Sequence, residues 1–267
     1  MGTSDGMSEE RMETLHAIMQ KPSKSDFDIA RGISIIEQDQ IKISALEPFI
    51  EKPITSGVRR IGITGAPGVG KSTFMNKLVS TQNFSNYKVA IIAIDPSSRI
   101  SKGAVLGDRI RITHNSVFEK IYFRSMATRG AFGGLNSSIE SVLFFLANCG
   151  FTLIFIETVG VGQNEVQIAE CVDSVVHILD SNAGDEVQME KAGVMEVGDI
   201  YFVNTRNDQV NSQFISNLRS FVENSMRESK VKPEVFVGSA VSGEGFEDVT
   251  RYLNFSASDE FILDGKK

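Results

Sequence analysis

The chain has 267 residues, 41% of them hydrophobic, and a formal charge of −7. That length accommodates one large α/β domain with a smaller appendage. The negative balance speaks against a broad nucleic-acid-binding surface. The longest apolar runs, residues 142–147 and 151–156, are far short of a bilayer span, so no membrane partner is expected.

The N-terminus, Ser4-Asp5-Gly6-Met7-Ser8-Glu9-Glu10, is polar and acidic. It has neither the apolar core of a secretory signal nor the basic, acid-poor character of a transit peptide. A cytoplasmic location is expected, with the mitochondrial matrix as the alternative in a eukaryote. Met1–Gly6 reads as an appended leader, with Met7 as the native start. Residues 8–51 read as helical: Met12, Leu15, Ile18 and Met19 recur at helical spacing, a second run begins at the cap-like Ser25-Asp26, and a third, Ile41 to Ile50, is interrupted by Pro48. Residues 1–56 are therefore expected to form a small helical appendage in a supporting role.

From about Val58 the pattern becomes strand, loop, helix, repeated. The strand candidates are Arg60–Thr64, Val89–Ile94, Lys120–Phe123, Thr152–Ile156, Val175–Leu179, Ile200–Val203 and Val235–Val237. Apolar strands alternating with amphipathic helices imply a mostly parallel central sheet flanked by helices, with ligands bound beyond the carboxyl ends of the strands. This α/β domain is expected over 57–256, followed by a short tail, 257–267. Cys149 and Cys171 sit at apolar helical positions and read as core thiols. His16, His114 and His177 are scattered, and no Cys-x-x-Cys or His-rich tract suggests structural zinc.

The stretch Gly65-Ala66-Pro67-Gly68-Val69-Gly70-Lys71-Ser72-Thr73 fits the Walker A pattern without a gap. Ile61-Gly62-Ile63-Thr64 reads as the strand feeding the loop, and Phe74 to Val79 as the helix leaving it. Gly65, Gly68 and Gly70 let backbone N–H groups, including that of Val69, curl around a phosphate. The helix N-terminus at Lys71, Ser72 and Thr73 adds its positive dipole end. Lys71 can reach the β- and γ-phosphates, and the Ser72 hydroxyl can ligate Mg²⁺. The expected fold is thus a P-loop NTPase.

Three carboxylates accompany the loop. Asp95 closes an apolar strand, Asp108 lies in Gly107-Asp108-Arg109, and Glu157 closes Thr152–Ile156 at the Walker B position. Phosphate-site magnesium takes one or two carboxylates plus waters and phosphate, so at least one of the three acts through water. For an isolated Asp the alternative role is a cap or turn residue. Gly160-Val161-Gly162-Gln163 follows Glu157, where the Gly160 N–H could sense the γ-phosphate. Gln163 either orients water or starts a helix.

Several further blocks run in order: Asp95-Pro96-Ser97-Ser98, Gly107-Asp108-Arg109, Thr128-Arg129-Gly130, Gly133-Gly134, Glu157-Thr158-Val159-Gly160-Val161-Gly162-Gln163, Ala183-Gly184-Asp185-Glu186-Val187-Gln188 and Lys191-Ala192-Gly193. Together they resemble the MeaB/ArgK-type GTPases, the family of the methylmalonic aciduria type A protein, over most of residues 25–250. The resemblance implies a SIMIBI-class G domain binding GTP or GDP with Mg²⁺ and hydrolysing GTP slowly. It also implies a switch and chaperone role for an adenosylcobalamin-dependent acyl-CoA mutase, usually methylmalonyl-CoA mutase, in cofactor loading and protection. By the same resemblance Ser72, Asp95, Asp108 and Glu157 gather around Mg²⁺, and the segment 183–191 is a switch loop whose Lys191 approaches the phosphates. The alternative for Lys191 is a solvated helix residue.

The chain departs from that family twice. The guanine motif Asn-Lys-x-Asp is replaced by Asn204-Thr205-Arg206-Asn207-Asp208. Asn204 fits, Thr205 stands for the lysine that covers the base, and Asn207 stands for the carboxylate unless a one-residue shift brings in Asp208. A carboxylate accepts two hydrogen bonds from guanine, whereas an amide also donates, so guanine preference is weakened. Ser239-Ala240 resembles the remaining base-contacting loop. The second departure is that the sequence stops soon after Leu253, where the family continues into helices that build its homodimer. Two other functions remain open: a nucleotide-dependent kinase linked to amino-acid transport, and a nucleotide-bound scaffold with a degenerate base site. Nickel-insertion GTPases share the fold class, but their Cys/His metal cluster is missing from this sequence.

Overall fold

A computed structural model describes residues 5–54, 56–81, 84, 86–95, 121–127, 138–158, 163–181, 198–205, 211–224 and 232–253. In chain order these form α1 (Asp5–Gln20), α2 (Asp26–Asp39), α3 (Ile43–Leu46) with a 3₁₀ turn at Glu47–Phe49, β1 (Arg59–Thr64), α4 (Lys71–Thr81), β2 (Val89–Asp95), β3 (Ile121–Ala127) and α5 (Ile139–Asn148). There follow β4 (Leu153–Thr158), α6 (Gln163–Cys171), β5 (Ser174–Asp180), β6 (Ile200–Asn204), α7 (Ser212–Asn224), β7 (Glu234–Gly238) and α8 (Phe246–Tyr252). All seven expected strands are present. All but β1 run past their expected ends, β2, β5, β6 and β7 by a single residue and two by more: β3 continues to Ala127, alongside Asp95 of β2, and β4 continues to Thr158, so Glu157 lies inside the strand.

Every strand pairing is parallel, in the order β3-β2-β4-β1-β5-β6-β7. β1 lies between β4 and β5, with Ile63 opposite Glu157 and Thr64 opposite His177. The chain leaves β1 toward the β2 side and returns past it to β5. That reversal makes the carboxyl end of β1 a topological switch point, the usual ligand crevice of an open α/β sheet.

Period-two alternation assigns the two faces. Ile61, Ile63, Phe155, Val176, Ile178 and Phe202 pack against α4 and α8. The rings of Phe74, Phe202 and Phe246 meet there with centroids 4.8–5.4 Å apart. On the opposite face Ile92, Ile154, Ile156 and Val175 share one core with α5, α6 and the N-terminal helices, including Leu15, Ile29, Ile33 and Ile36. A third cluster joins Phe214 and Leu218 of α7 to Tyr201 and Val203.

The N-terminal helices are fixed by local chemistry and by close packing. Ser25 caps α2: its hydroxyl accepts from the Asp28 N–H (3.2 Å), and the Asp28 carboxylate accepts from the Ser25 N–H (3.0 Å). The ammonium of Lys21, then the Ser25 groups, hold Asp28 down at about 2. α2 meets α5 at Gly32, where an added Cβ would stand 2.4 Å from the ring tip of the fully buried Phe145. Arg124 of β3 donates to Ser34 (2.8 Å) and to the buried Glu37 (3.2 Å), tying α2 to the sheet beyond the apolar contact.

Burial pushes the Cys149 thiol up to about 12 and the Cys171 thiol to about 11, as expected of core thiols. His177, 3% exposed in β5, stacks near Tyr201 and leaves Nδ1 without a hydrogen-bond partner. Burial, then the ammonium of Lys71, lowers its pKa to about 4.

Two outcomes follow from this packing. Gly32→Leu overfills the α2–α5 contact and lowers stability by about 2–3 kcal/mol in urea unfolding, more than the small gain in helix propensity returns. His177 is neutral in the folded chain and has a folded pKa below the ordinary 6.5. Between those values the unfolded chain binds the extra proton, so stability present at neutral pH is lost as pH falls from 6.5 toward about 4, at up to about 1.4 kcal/mol per pH unit. Urea midpoints across that range fall less steeply for His177→Phe than for the parent chain.

Candidate functional site: a phosphate loop and its neighbours

The loop between β1 and α4 has a backbone that only glycine tolerates at three points. Gly65, Gly68 and Gly70 have φ of 135°, 78° and 102°. A Cβ on Gly65 would lie 2.2 Å from the Ile178 carbonyl oxygen, and one on Gly70 would lie 2.6 Å from the Asn204 side-chain nitrogen. The loop is thus pressed against β5 and β6 as well as carried by β1. Lys71 opens α4 and is only 7% exposed; its ammonium turns back to donate to the carbonyls of Gly65 (2.6 Å) and Ala66 (2.9 Å). Ser72 and Thr73 occupy the exposed first turn of α4.

The Ser72 hydroxyl donates to Glu157 Oε1 at 2.5 Å, joining the helix start to β4. One residue further on, the buried Thr158 hydroxyl lies 3.4 Å from that of Thr64, beneath the loop. Asp95 ends β2 at the same carboxyl edge, where Ile94 stands opposite Thr158 and Asp95 opposite Ala127; its side chain is outside the described residues. Ser72 and Glu157 form a pair of hard oxygen donors suited to Mg²⁺. Among the described residues no three acidic, His or Cys side chains form a metal cluster. A phosphate-site magnesium does not need one, because phosphate and water supply most of its ligands.

Asn204, at the end of β6, joins the loop to its neighbour. Its Nδ2 donates to the Val69 carbonyl (2.8 Å), and its Oδ1 accepts from the Ala240 N–H (2.9 Å). Both polar ends of the amide are therefore used inside the protein. The Thr205 side chain is buried, with its hydroxyl donating to the Gly238 carbonyl (3.1 Å), and does not extend over a base. Ser239 and Ala240 are buried at the turn after β7, where the Ser239 hydroxyl accepts from the Ser242 N–H (3.2 Å).

The structure therefore brings Gly65, Gly68, Val69, Gly70, Lys71, Ser72, Thr73, Glu157, Asn204, Ser239 and Ala240 to one edge of the sheet, with the backbone of Asp95 beside them. Asp108, Gly160, Lys191, Asn207 and Asp208 lie outside the described residues. Sequence reasoning passed over Thr64 and Thr158. Their signal was a hydroxyl residue at the last position of each strand flanking the loop.

A family profile described as methylmalonyl-CoA mutase-associated GTPase MeaB matches residues 29–257. A Pyrococcus horikoshii protein carrying a provisional GTPase name is 40% identical over 194 residues, which is 72% of this chain and 61% of that one. The GTPase ArgK of Escherichia coli K12 is 29% identical, with 83% of this chain and 69% of that one covered. The mitochondrial methylmalonic aciduria type A homolog of Mus musculus is 34% identical, with 74% and 48% covered. The chain thus spans about three fifths of the first relative's length and about half of the third's. Among solved structures, an LAO/AO transport system kinase superposes with a TM-score of 0.63 at 21% identity, covering 96% of this chain and 76% of that one. The hydrogenase maturation factor HypB of Archaeoglobus fulgidus gives 0.53 at 15%, covering 74% and 89%. At such identities the two structures speak for the fold alone, that of a P-loop nucleotide-binding protein. The match over residues 29–257 gives the narrower conclusion: the chain belongs to the methylmalonyl-CoA mutase-associated GTPase MeaB family.

Proposed function

We propose that this protein is a Mg²⁺-dependent GTP hydrolase that acts as a switch and chaperone for an adenosylcobalamin-dependent acyl-CoA mutase. The observation that carries the reading is the phosphate loop itself, with Lys71 folded onto its carbonyls and Ser72 bonded to Glu157 at 2.5 Å. The family match and the mouse relative's name support the mutase as partner, methylmalonyl-CoA mutase first. In this reading residues 57–256 carry the nucleotide, residues 1–56 brace that domain, and 257–267 are a tail. The protein works in the cytoplasm, or in the matrix of a mitochondrion. No described helix is long and apolar enough to cross a membrane.

The loop N–H groups and the N-terminus of α4 bind the phosphates. Lys71 exchanges its two carbonyl partners for phosphate oxygens and neutralises charge that grows on the transferred group. Ser72, Asp95, Asp108 and Glu157 would hold Mg²⁺, at least one of the carboxylates through water, and the ion would supply further charge neutralisation on the phosphates. Asp95 or a bound water aids in-line attack, while the Gly160 N–H senses the terminal phosphate and Lys191 approaches the phosphates. Hydrolysis stays slow until the partner completes the site.

For the base, Asn204 holds Ser239-Ala240 and the phosphate loop in one frame, and Asp208, with Asn207 beside it, receives the guanine edge. The buried Thr205 favours a second reading on this point alone, a base site of relaxed specificity. The kinase in the name of one solved structure is not carried over, since that likeness concerns the fold.

Lys71→Ala and Glu157→Gln each lower GTP turnover by about 100-fold or more. Turnover that survives either substitution removes the site assignment. Calorimetry with GDP, ADP and XDP in Mg²⁺ gives a clear preference for GDP; equal binding, or a preference for XDP or ADP, withdraws the GTPase reading and leaves the phosphate loop standing. Addition of the mutase raises the GTPase rate, and labelled phosphate transferred to a protein instead speaks for the kinase.

A further inference from the structure

Among the described residues, three large apolar side chains are exposed: Phe27, Ile54 and Val241. Phe27 belongs to the N-terminal helices, and Ile54 bonds Asn148 ahead of β4, at the edge where the strands begin. Val241 stands at the other edge, the rim that carries the phosphate loop. It is 73% exposed and directly follows the buried Ala240. A single exposed valine is ordinary on a protein surface; what sets this one apart is how firmly it is held. The Ala240 N–H is bonded to Asn204, whose other end holds the Val69 carbonyl of the phosphate loop. Within the turn after β7, the Ser239 N–H donates to the Glu244 carbonyl (3.0 Å) and the Gly243 N–H to the Ser239 carbonyl (2.8 Å), while the Ser242 N–H reaches the Ser239 hydroxyl (3.2 Å). α4 closes the turn from the other side. A Cβ on Gly243 would stand 2.3 Å from Lys77 Cε, so the lysine stem lies against that glycine. Lys77 is one helical turn beyond Thr73, on the same face of α4.

We propose that Val241 is the apolar surface against which the base of the bound nucleotide lies, and that the Lys77 stem holds the turn presenting it. This rests on the nucleotide reading of the phosphate loop and not on a preference for guanine. A nucleotide anchored by its phosphates in the loop carries its base outward over the ends of β6 and β7, the strands that hold Asn204 and the turn. The base has two flat apolar faces to remove from water. The side chain next to Asn204 covers neither, because the buried Thr205 turns its hydroxyl onto the Gly238 carbonyl. Val241 supplies the cover that Thr205 withholds. A β-branched side chain on a cross-bonded turn has little freedom to lose when a base settles on it. Every purine offers the same apolar face, so Val241 adds affinity without choosing among bases. The choice is left to groups that meet the polar edge of the base. Lys77 is a positioning residue and acts by length, not by charge. Its four-carbon stem fills the space beside Gly243, where a φ of 90° and the missing Cβ make room for it.

Calorimetry of the full chain in Mg²⁺ with GDP, ADP and XDP tests the base surface. Inorganic pyrophosphate, which has phosphates and no base, is measured beside them by its displacement of the tightest nucleotide. Val241→Ser weakens all three nucleotides by a common factor, about 5-fold or more, and leaves pyrophosphate where it was. Val241→Ile keeps the parent affinities. Lys77→Ser shows the same loss for nucleotides alone, and Lys77→Met, whose unbranched stem fills the same space without the charge, retains what Lys77→Ser loses. Nucleotide affinities indifferent to Val241→Ser overturn the proposal. So does a loss confined to one base, or an equal loss for pyrophosphate, the mark of a displaced phosphate loop. Lys77→Met behaving as Lys77→Ser overturns the role of the stem. A parent chain that prefers ADP or XDP withdraws the GTPase reading and leaves Val241 its role, because the expected loss is common to the three bases.

Discussion

The nucleotide face of this protein depends on one buried amide. Asn204 stands at the end of β6 and spends both polar ends on backbone: one on the Val69 carbonyl in the phosphate loop, the other on the Ala240 N–H after β7. The loop is rich in glycine and has few side-chain contacts to stiffen it, so its shape must be imposed by neighbours. β5 imposes it at Gly65 through the Ile178 carbonyl, and Asn204 imposes it at Val69 and Gly70. Three strands that never touch in sequence thus hold one anion-binding curve. A buried amide satisfied at both ends also contributes stability that an unpaired one would subtract.

That arrangement is possible because the sheet is parallel. Each strand ends on the same edge, so Thr64, Asp95, Thr158, Asn204 and Gly238 all finish along one rim however far apart they lie in the chain. The cost of a parallel sheet is that both faces need cover. Here α4 and α8 supply one side, while α5, α6, α7 and the N-terminal helices supply the other. Chemistry is confined to the rim, and the interior is mostly apolar, with the neutral His177 and the Glu37–Arg124 pair among its exceptions.

The fold was legible because its signals are local. Apolar runs of strand length marked all seven strands, and Ser25 with Asp28 marked the start of α2 by a reciprocal cap. The phosphate loop announced itself through glycines whose positive φ no other residue tolerates well. Strand ends were less legible. β3 runs four residues beyond Phe123 because pairing with β2 up to Asp95 outweighs the polar character of Arg124 and Ser125. Distant pairings outside a motif left no trace in sequence: nothing local says that Glu37 meets Arg124, or that the Thr205 hydroxyl folds onto Gly238. Such contacts are set by the tertiary arrangement, and only the residue types that permit them can be read beforehand.

The Gly32–Phe145 contact has a consequence for how the molecule comes apart. Residues of α1 and α2 are members of the same core as Ile92, Ile154 and Ile156, with no polar layer between them. A separate module would melt by itself and leave the sheet intact. Here, peeling away the first forty residues uncovers α5 at the Gly32–Phe145 contact and breaks the Arg124 bonds from β3 to Ser34 and Glu37. The N-terminal helices therefore share the core of the sheet through α5, and loosening them exposes apolar surface of that core directly.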